Sequence, residues 1–409
     1  MFYKKLYLLT LPLFFSFSTG CKNNANDNKA LNATEKTDIY KNFINFSATA
    51  NDFNTGASFT FQCNSNNSQS IQTLVYGAIQ KNGIKVTEQT LFQIGSNSKS
   101  FLSVVALQLE EEGLLNINHT VGTYLTEYPL WQNIRLEQLL NMTSGIVDYT
   151  RDAPTPQDFP ELLKVIKKNP FHKFTYDELL SFVKDKPLSN KLEFSYSNTN
   201  YVLLAKIIEK VTNNSLKNEV YNRIIKKLNL KHTFYIEHLL REEIPNAYHD
   251  NLATGYFTYP EKKDLIFPEG SAVSSHSLSW SLGAGSLVST SQDLNTYIQA
   301  LFNGQLLSAK QLAKFLTPVD TKTGQKLTNG VSLGQPSGYG LGIKIAYDPT
   351  LNEVIYSHSG GTLGFTAYMY YFPKTKISFT KFFNSTFFIH PRLDLYLNNL
   401  PKKIVDHCK

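Results

Sequence analysis

The chain has 409 residues, with 40 Lys and Arg against 33 Asp and Glu, a formal net charge of +7, and it is 42% hydrophobic and 18% charged. That usage excludes a disordered chain, a fibrous repeat and a multi-span membrane protein, and so small a surplus gives no support for a nucleic-acid partner. Three cysteines are too few for a disulfide-built scaffold, and none stands in a CxxC or Cys/His spacing suited to zinc.

The first twenty residues read as a secretory signal. Lys4 and Lys5 precede an apolar run, LYLLTLPLFFSF, and the small residues Ser18, Thr19 and Gly20 close it. Twelve residues at about 1.5 Å each reach about 18 Å, short of a bilayer core of about 30 Å. Cys21 follows Gly20 directly, like the cysteine of a bacterial lipoprotein cleavage box. Ser18 stands where that box usually has an aliphatic residue. Lipidation of Cys21 and cleavage by the ordinary signal peptidase are both open. Residues 21–50 are polar and read as a flexible tether. Export to the periplasm or cell envelope is therefore expected, with membrane contact only through a lipid anchor. In an oxidising compartment Cys63 and Cys408 would either form a disulfide, tying the first strand to a C-terminal helix, or remain unrelated thiols.

From residue 51 to 409 we expect one catalytic unit. ASFTFQC (57–63) and QTLVYGAIQ (72–80) are β-rich runs with a turn between them. SFLSVVALQLEEEG (100–113) has helical spacing and a glycine stop. Residues of about 114–280 are mostly helical pattern with loops, in LEQLLNM, YDELLSFVKD, NYVLLAKIIEKVTN and VYNRIIKKLNL. Strands return at 352–360, 365–373 and 376–384. The last segment, HPRLDLYLNNLPKKIVDHC, reads as helical with a break at Pro401. Strands at both ends and helices between them predict an α+β fold: an antiparallel sheet built from both chain ends and flanked by helices, with a mostly helical insertion, not a doubly wound sheet.

Among catalytic motifs there is no P-loop, HExxH, EF-hand loop or GxSxG elbow. Gly283-Ala284-Gly285 reads as packing glycine. Ser-x-x-Lys occurs three times, as Ser96/Lys99, Ser181/Lys184 and Ser378/Lys381. The chemistry needs a hydroxyl beside an amine that can take its proton, and i, i+3 on a helix places both on one face. Ser378 falls in a strand, where i and i+3 point to opposite faces. Lys184 lies inside a helix, where a solvated side chain is the simpler reading. Ser96 opens the 100–113 helix, where the dipole and a backbone N–H can serve an oxyanion, although an N-cap serine would sit there too. In FSYSNTNY, Tyr196 and Asn198 are two apart and face one way if extended, a proton relay beside an amide. His358-Ser359-Gly360-Gly361 ends a strand, with glycines that let a substrate backbone approach its edge.

FQIGSNSKSF, LLNMTSGIVDY, FSYSNTNYVLLAKIIEKVT, GAGSLVSTSQDL, YGLGI and HSGGTLGF, in this order over residues 55 to 405, resemble the serine β-lactamase and penicillin-binding protein superfamily. The likeness is to its class C-type branch, and most to secreted D-alanyl-D-alanine carboxypeptidases. The usual Ser-Asp-Asn and Lys-Thr-Gly elements stand here as Tyr-Ser-Asn and His-Ser-Gly. The resemblance implies a β-lactamase/transpeptidase-like fold with Ser96 as the acylated nucleophile. Lys99 and Tyr196 would share the proton work, Asn198 would orient the substrate and Lys99, and His358 would support Tyr196. The N–H groups of Ser96 and Gly361 would form the oxyanion hole, Gly360 would line the strand, and Trp280 would be an aromatic wall. Lys344 falls where carboxypeptidases carry an arginine for the substrate's carboxylate; lysine keeps the charge and loses the bidentate fork. Met142 stands where relatives often have histidine.

No metal or organic cofactor is called for, and a monomer is expected. The implied substrate is a peptidoglycan stem peptide. A β-lactam or a simple ester on the same scaffold, and a non-catalytic envelope binding protein, are the alternatives.

Overall fold

In the computed structural model the described residues are 56–386, apart from 66–67, 82, 155–157, 190–192 and 259–265, together with 402–408. The expected signal, the tether and Cys21 lie outside them.

The two ends of the chain meet in one antiparallel sheet. Its strands are β1 (Ala57–Ser65), β2 (Ser68–Tyr76), β3 (Val319–Asp320), β4 (Ser337–Tyr339), β5 (Lys344–Asp348), β6 (Glu353–Gly361), β7 (Thr366–Phe372) and β8 (Ile377–Phe383). Their order across the sheet is β2-β1-β8-β7-β6-β5-β4-β3. The closing contact is β1 against β8, with Ala57 opposite Phe383 and Phe61 opposite Phe379. The first hairpin is tighter than its sequence suggests, with Ser65 opposite Ser68. β2 ends at Tyr76, because Gly77 takes φ +72°, a turn conformation that glycine adopts readily.

β8 is buried on both faces, and its alternation sorts it between two layers. Phe379 and Phe383 join Phe59, Phe61, Tyr368, Ile404 and Val405 in the smaller core. The helical segment 402–408 covers that face, and a disulfide joins Cys408 to Cys63 of β1. Ser378 and Thr380 face the other layer, where Ser378 bonds Asn295 and Gln299, and Thr380 bonds the carbonyl of Ser291. Lys381 lies with the rings of Tyr368 and Phe383 on the smaller core's side. Ser378 and Lys381 therefore occupy opposite faces of one strand, and the third Ser-x-x-Lys match makes no pair.

The larger core holds α1 (Ser98–Glu111), α2 (Asn198–Thr212) and α3 (Ser291–Phe302). The helical spacing suggests one apolar face, but α1 is buried on all sides over its first turns. Every residue from Ser98 to Leu107 is buried. α3 packs on it by stacking Tyr297 on Phe101, ring centroids 3.6 Å apart, and Tyr297 donates a hydrogen bond to Ser100. Gly113, at φ +77°, follows the helix. The helical region between α1 and α3 shares this core and also contributes Phe234–Tyr235 to a small sheet with Phe92–Gln93 and Leu287–Ser289. The expected helix in VYNRIIKKLNL is broken, changing from an α-turn at Leu216–Val220 to a π-turn at Tyr221–Ile225.

Candidate active site

Ser96 lies in a 3-10 turn, Gly95–Asn97, and α1 begins after it. The nucleophile candidate is thus one turn outside the α-helix and is not its N-cap. The turn is wedged against the end of β6. A Cβ on Gly360 would stand 1.9 Å from the carbonyl oxygen of Ile94, and one on Gly95 would stand 2.7 Å from both the nitrogen and the oxygen of Gly361. Gly95 also takes φ +50°. Asn97 ties the two elements together, donating from Nδ2 to the carbonyls of Ile94 (2.8 Å) and of Ala367 on β7 (3.3 Å). Gly360 was expected to make room for a substrate. Its missing side chain also makes room for the turn that carries Ser96.

The pairing of β5 with β6 ends at Lys344 opposite Ser357, while β7 continues beside β6 to Gly361. Residues 358–361 therefore form a strand edge on the side where β5 has stopped, next to the Ser96 turn. This is the edge that the HSGG sequence anticipates.

Lys99 is fully buried, and its amine touches three oxygens: Ser96 Oγ at 3.0 Å, Asn198 Oδ1 at 2.7 Å and the carbonyl of Ala284 at 2.7 Å. Burial lowers its pKa to about 7, with Asp148 opposing that shift and Arg151 adding to it. Two of the three oxygens can only accept. The carbonyl of Ala284 has no proton to give. Asn198 is held amide-nitrogen-outward, donating from Nδ2 to Thr150 Oγ1 (3.0 Å) and Asp148 Oδ2 (3.3 Å), so its oxygen must face Lys99. A neutral Lys99 amine keeps its two protons on those oxygens and turns its lone pair to Ser96. The contact with Ser96 is the one of the three that can reverse.

Tyr196 completes the cluster. Its ring centre is 5.0 Å from Lys99 Nζ, and its phenol is within hydrogen-bonding reach of Ser96. Burial pushes that phenol's pKa up, and the Ser96 hydrogen bond opposes the shift. His358 lies alongside, ring centres 6.3 Å apart, but its hydrogen bonds go elsewhere. Nδ1 is 2.7 Å from the Ser359 carbonyl and must donate there, so Nε2 accepts from the Tyr339 hydroxyl at 2.9 Å. The resemblance had His358 supporting Tyr196. Its hydrogen-bond partner is Tyr339, which itself packs against the Tyr196 ring. Burial, reinforced by Lys99, lowers the His358 pKa to about 3, so the ring is neutral.

Lys344 opens β5 one position from His358 in the ladder, and burial lowers its pKa. Trp280 is buried, and its carbonyl accepts from the Tyr149 hydroxyl at 2.6 Å. Met142 adopts φ +64°, and its sulfur accepts from the backbone N–H of Ser197 at 3.4 Å, bracing the Tyr-Ser-Asn segment. Ser181 stays apart, donating to the carbonyl of Glu178 in its own helix.

Five residues that sequence reasoning did not single out complete the arrangement: Asp148, Thr150, Arg151, Ala284 and Tyr339. Ala284 acts through its backbone, which no side-chain pattern signals. Gly283 beside it is the expected packing glycine, where a Cβ would stand 2.4 Å from the Tyr201 carbonyl. Asp148 lies inside the LLNMTSGIVDY run, where an acid directly after the apolar Ile146 and Val147 was a readable signal. Among the described residues no group of His, Cys, Asp and Glu is arranged to hold a metal ion.

The Beta-lactamase family model matches residues 63–400. Among curated proteins, penicillin-binding protein 4* of Bacillus subtilis is 28% identical over 288 residues, 68% of this chain and 57% of that protein. The teichoic acid D-alanine hydrolase of Staphylococcus aureus is 28% identical over 290 residues, 71% of this chain and 61% of that protein. The chain thus spans less than two thirds of the length of these relatives. Among solved structures, a D-stereospecific amidohydrolase from Streptomyces superposes with a TM-score of 0.68 at 23% identity, covering 90% of this chain and 98% of that one, which shows the shared fold.

Proposed function

The chain belongs to the beta-lactamase family, whose members are serine hydrolases, and we propose that it is an exported acyl-transfer enzyme of the bacterial envelope that releases D-alanine. The observation that carries this reading is the three-oxygen cradle of Lys99. It leaves one lone pair at neutral pH and directs it at Ser96. A general base works best with a pKa near the working pH.

In the proposed reaction Ser96 Oγ attacks the carbonyl of a D-alanyl peptide, and its proton passes to Lys99 Nζ. The oxygen of the tetrahedral intermediate is met by the backbone N–H groups of Ser96 and Gly361. When the C–N bond breaks, the leaving amine takes a proton delivered through Lys99 and the Tyr196 hydroxyl. Tyr196 suits that role because burial keeps it protonated. Water then attacks the acyl ester and restores Ser96. The substrate we favour is the D-alanyl-D-alanine end of a peptidoglycan stem peptide, which makes the enzyme a carboxypeptidase. The similarity to a teichoic acid D-alanine hydrolase supports a second reading, in which the same serine cleaves a D-alanyl ester.

Intact-mass measurement with benzylpenicillin over time tests the serine. An adduct on the wild type and on Ser181→Ala and Ser378→Ala, lost in Ser96→Ala, is expected. A long-lived adduct fits a penicillin-binding protein, and a rapidly cleared one a β-lactamase. Release of D-alanine from a stem-peptide mimic but not from a D-alanyl ester separates the two substrate readings. No adduct and no D-alanine release would refute the proposal.

A further inference from the structure

Lys99 has an aromatic neighbour that the reaction as described does not use. Tyr201 is in the first turn of α2, three positions after Asn198, and i, i+3 on a helix places both on one face. Asn198 gives Lys99 an oxygen at 2.7 Å, and Tyr201 gives it a ring, whose centre is 5.5 Å from Lys99 Nζ. The Tyr196 ring, at 5.0 Å, is the other ring beside the amine. Tyr201 is fully buried, and its hydroxyl is occupied elsewhere, donating to the carbonyl of Leu140 (3.1 Å) and accepting from Ser103 Oγ (3.0 Å). Burial pushes that phenol's pKa up, so it carries no negative charge. The loop between β4 and β5 braces it further. Gly342 takes φ +84°, and a Cβ there would stand 2.7 Å from the Tyr201 hydroxyl and 2.4 Å from Ser103 Oγ.

A cation is attracted to the electron-rich face of a ring within about 6 Å, and most strongly where water is excluded. Burial works against the ammonium form of Lys99. Of the charged groups around it, Asp148 favours the ammonium and Arg151 opposes it. His358 is neutral and Tyr196 is protonated, and Lys344 of β5 acts on His358. The rings therefore add an attraction that no formal charge supplies. It is felt by the ammonium and hardly by the neutral amine. An interaction that grows as Lys99 gains its proton speeds the step in which it does so.

We infer that the Tyr201 ring acts through Lys99, holding the positive charge that the amine acquires when it takes the proton of Ser96. Tyr201 is thus a positioning residue for the base, and it helps to set the pH at which that base is available. The inference rests on the reading of Lys99 as the base.

Weakening the ring's attraction should move the Lys99 midpoint to lower pH, because the ring favours the ammonium. Loosened packing does the reverse, because water let in relieves the burial that lowers the midpoint. The sign therefore separates the two. The NMR signal of the Lys99 side chain, in protein with isotope-labelled lysine and identified by its absence in Lys99→Arg, is titrated with no substrate present. Tyr201→Phe keeps the ring and should hold the midpoint within about 0.3 pH units. A difluorinated and then a pentafluorinated phenylalanine at the same position keep the shape and draw electrons from the ring face. The midpoint should step down along this series by about 0.5–1.5 pH units in all, about 3- to 30-fold in the dissociation constant. If the pentafluorinated protein does not fold, the difluorinated one decides. A midpoint that stays or rises along the series overturns the inference. So does a shift already complete in Tyr201→Phe, which would assign the effect to the hydroxyl. Acylation by a fluorescent penicillin reads the reaction separately, and its plateau above the midpoint should fall along the series by up to about 30-fold. An unchanged plateau overturns the claim that the ring holds charge during the reaction. If the wild type is not acylated at all, the functional reading fails, and the titration still decides whether Tyr201 acts on Lys99.

Discussion

Replacing Gly360 with alanine adds one methyl group at the tightest point of the site. The new carbon would stand 1.9 Å from the carbonyl oxygen of Ile94 and 2.8 Å from Nδ2 of Asn97. Carbon and oxygen do not approach closer than about 3 Å without bonding, so strand and turn must separate by about 1 Å. Neither can give cheaply. The Ile94 carbonyl accepts from the N–H and from the side chain of Asn97, and Gly360 is held opposite Ala367 in the ladder. Overpacking of this kind costs about 1–3 kcal/mol, which should lower the melting temperature by a few degrees. The effect on chemistry should be larger, because Ser96 is two residues from Ile94. A displacement of about 1 Å costs on the order of 100-fold in rate. The assay is the second-order rate of acylation by a fluorescent penicillin, with a melting curve on the same sample. Gly334→Ala, where a Cβ meets nothing within 4 Å, is the control. A Gly360→Ala protein acylated at the wild-type rate would refute the claim that this glycine sets the position of Ser96.

The acylation rate should rise as pH increases through about 7, because only neutral Lys99 can take the Ser96 proton; a flat profile from about pH 5.5 to 8.5 would exclude it as the base. His358, with its pKa lowered to about 3, and Tyr196, whose pKa is raised, should add no inflection in that window. Asp148→Asn removes a charge that raises the Lys99 pKa, so the midpoint should move to lower pH. It also frees the Asn198 amide to turn, which should cost about 10-fold or more in acylation; an unmoved midpoint would show that Asp148 does not act on Lys99. Replacing Cys63 and Cys408 together by serine opens a loop of sequence separation 345. It should cost about 2–4 kcal/mol in a denaturant titration while leaving penicillin acylation of the folded protein unchanged; an unaltered midpoint would contradict that.

The reading of the sequence went furthest where one residue type must sit at one spacing. Ser96 and Lys99 could be paired because a helical turn joins i and i+3, and Ser378 could be set aside because a strand separates them. The return of strands after residue 350 indicated a sheet from both ends, and their buried runs are long enough to read. Strands of two or three residues such as Val319–Asp320 and Ser337–Tyr339 carry no periodicity, so the far edge of the sheet was illegible. So were contacts made by backbone atoms, such as the carbonyl of Ala284, and choices between near-equal partners. Nothing in the spacing says that His358 bonds to Tyr339 while only packing on Tyr196. Gly360 has a second reason to be glycine that the sequence does not show, the close approach of the Ile94 carbonyl, because a glycine that admits a ligand and one that admits a neighbouring turn look alike in sequence.

The pairing of β1 with β8 also has a consequence for how the protein is made. Ala57 waits for Phe383, and at about 5–20 residues per second the ribosome delivers the second roughly 15–65 s after the first. The β1–β2 hairpin can form within microseconds, so for most of that interval β1 presents an unpaired edge and the bare rings of Phe59 and Phe61. Such an edge invites pairing with another chain. β6, which abuts the Ser96 turn, is also delivered late. The young chain therefore passes through a long stage that is both prone to aggregation and unable to acylate, and it should depend on a holding chaperone until β8 arrives and the Cys63–Cys408 disulfide can close. Pulse-labelled chains chased with a fluorescent penicillin would show acylation appearing only after the last strand has emerged.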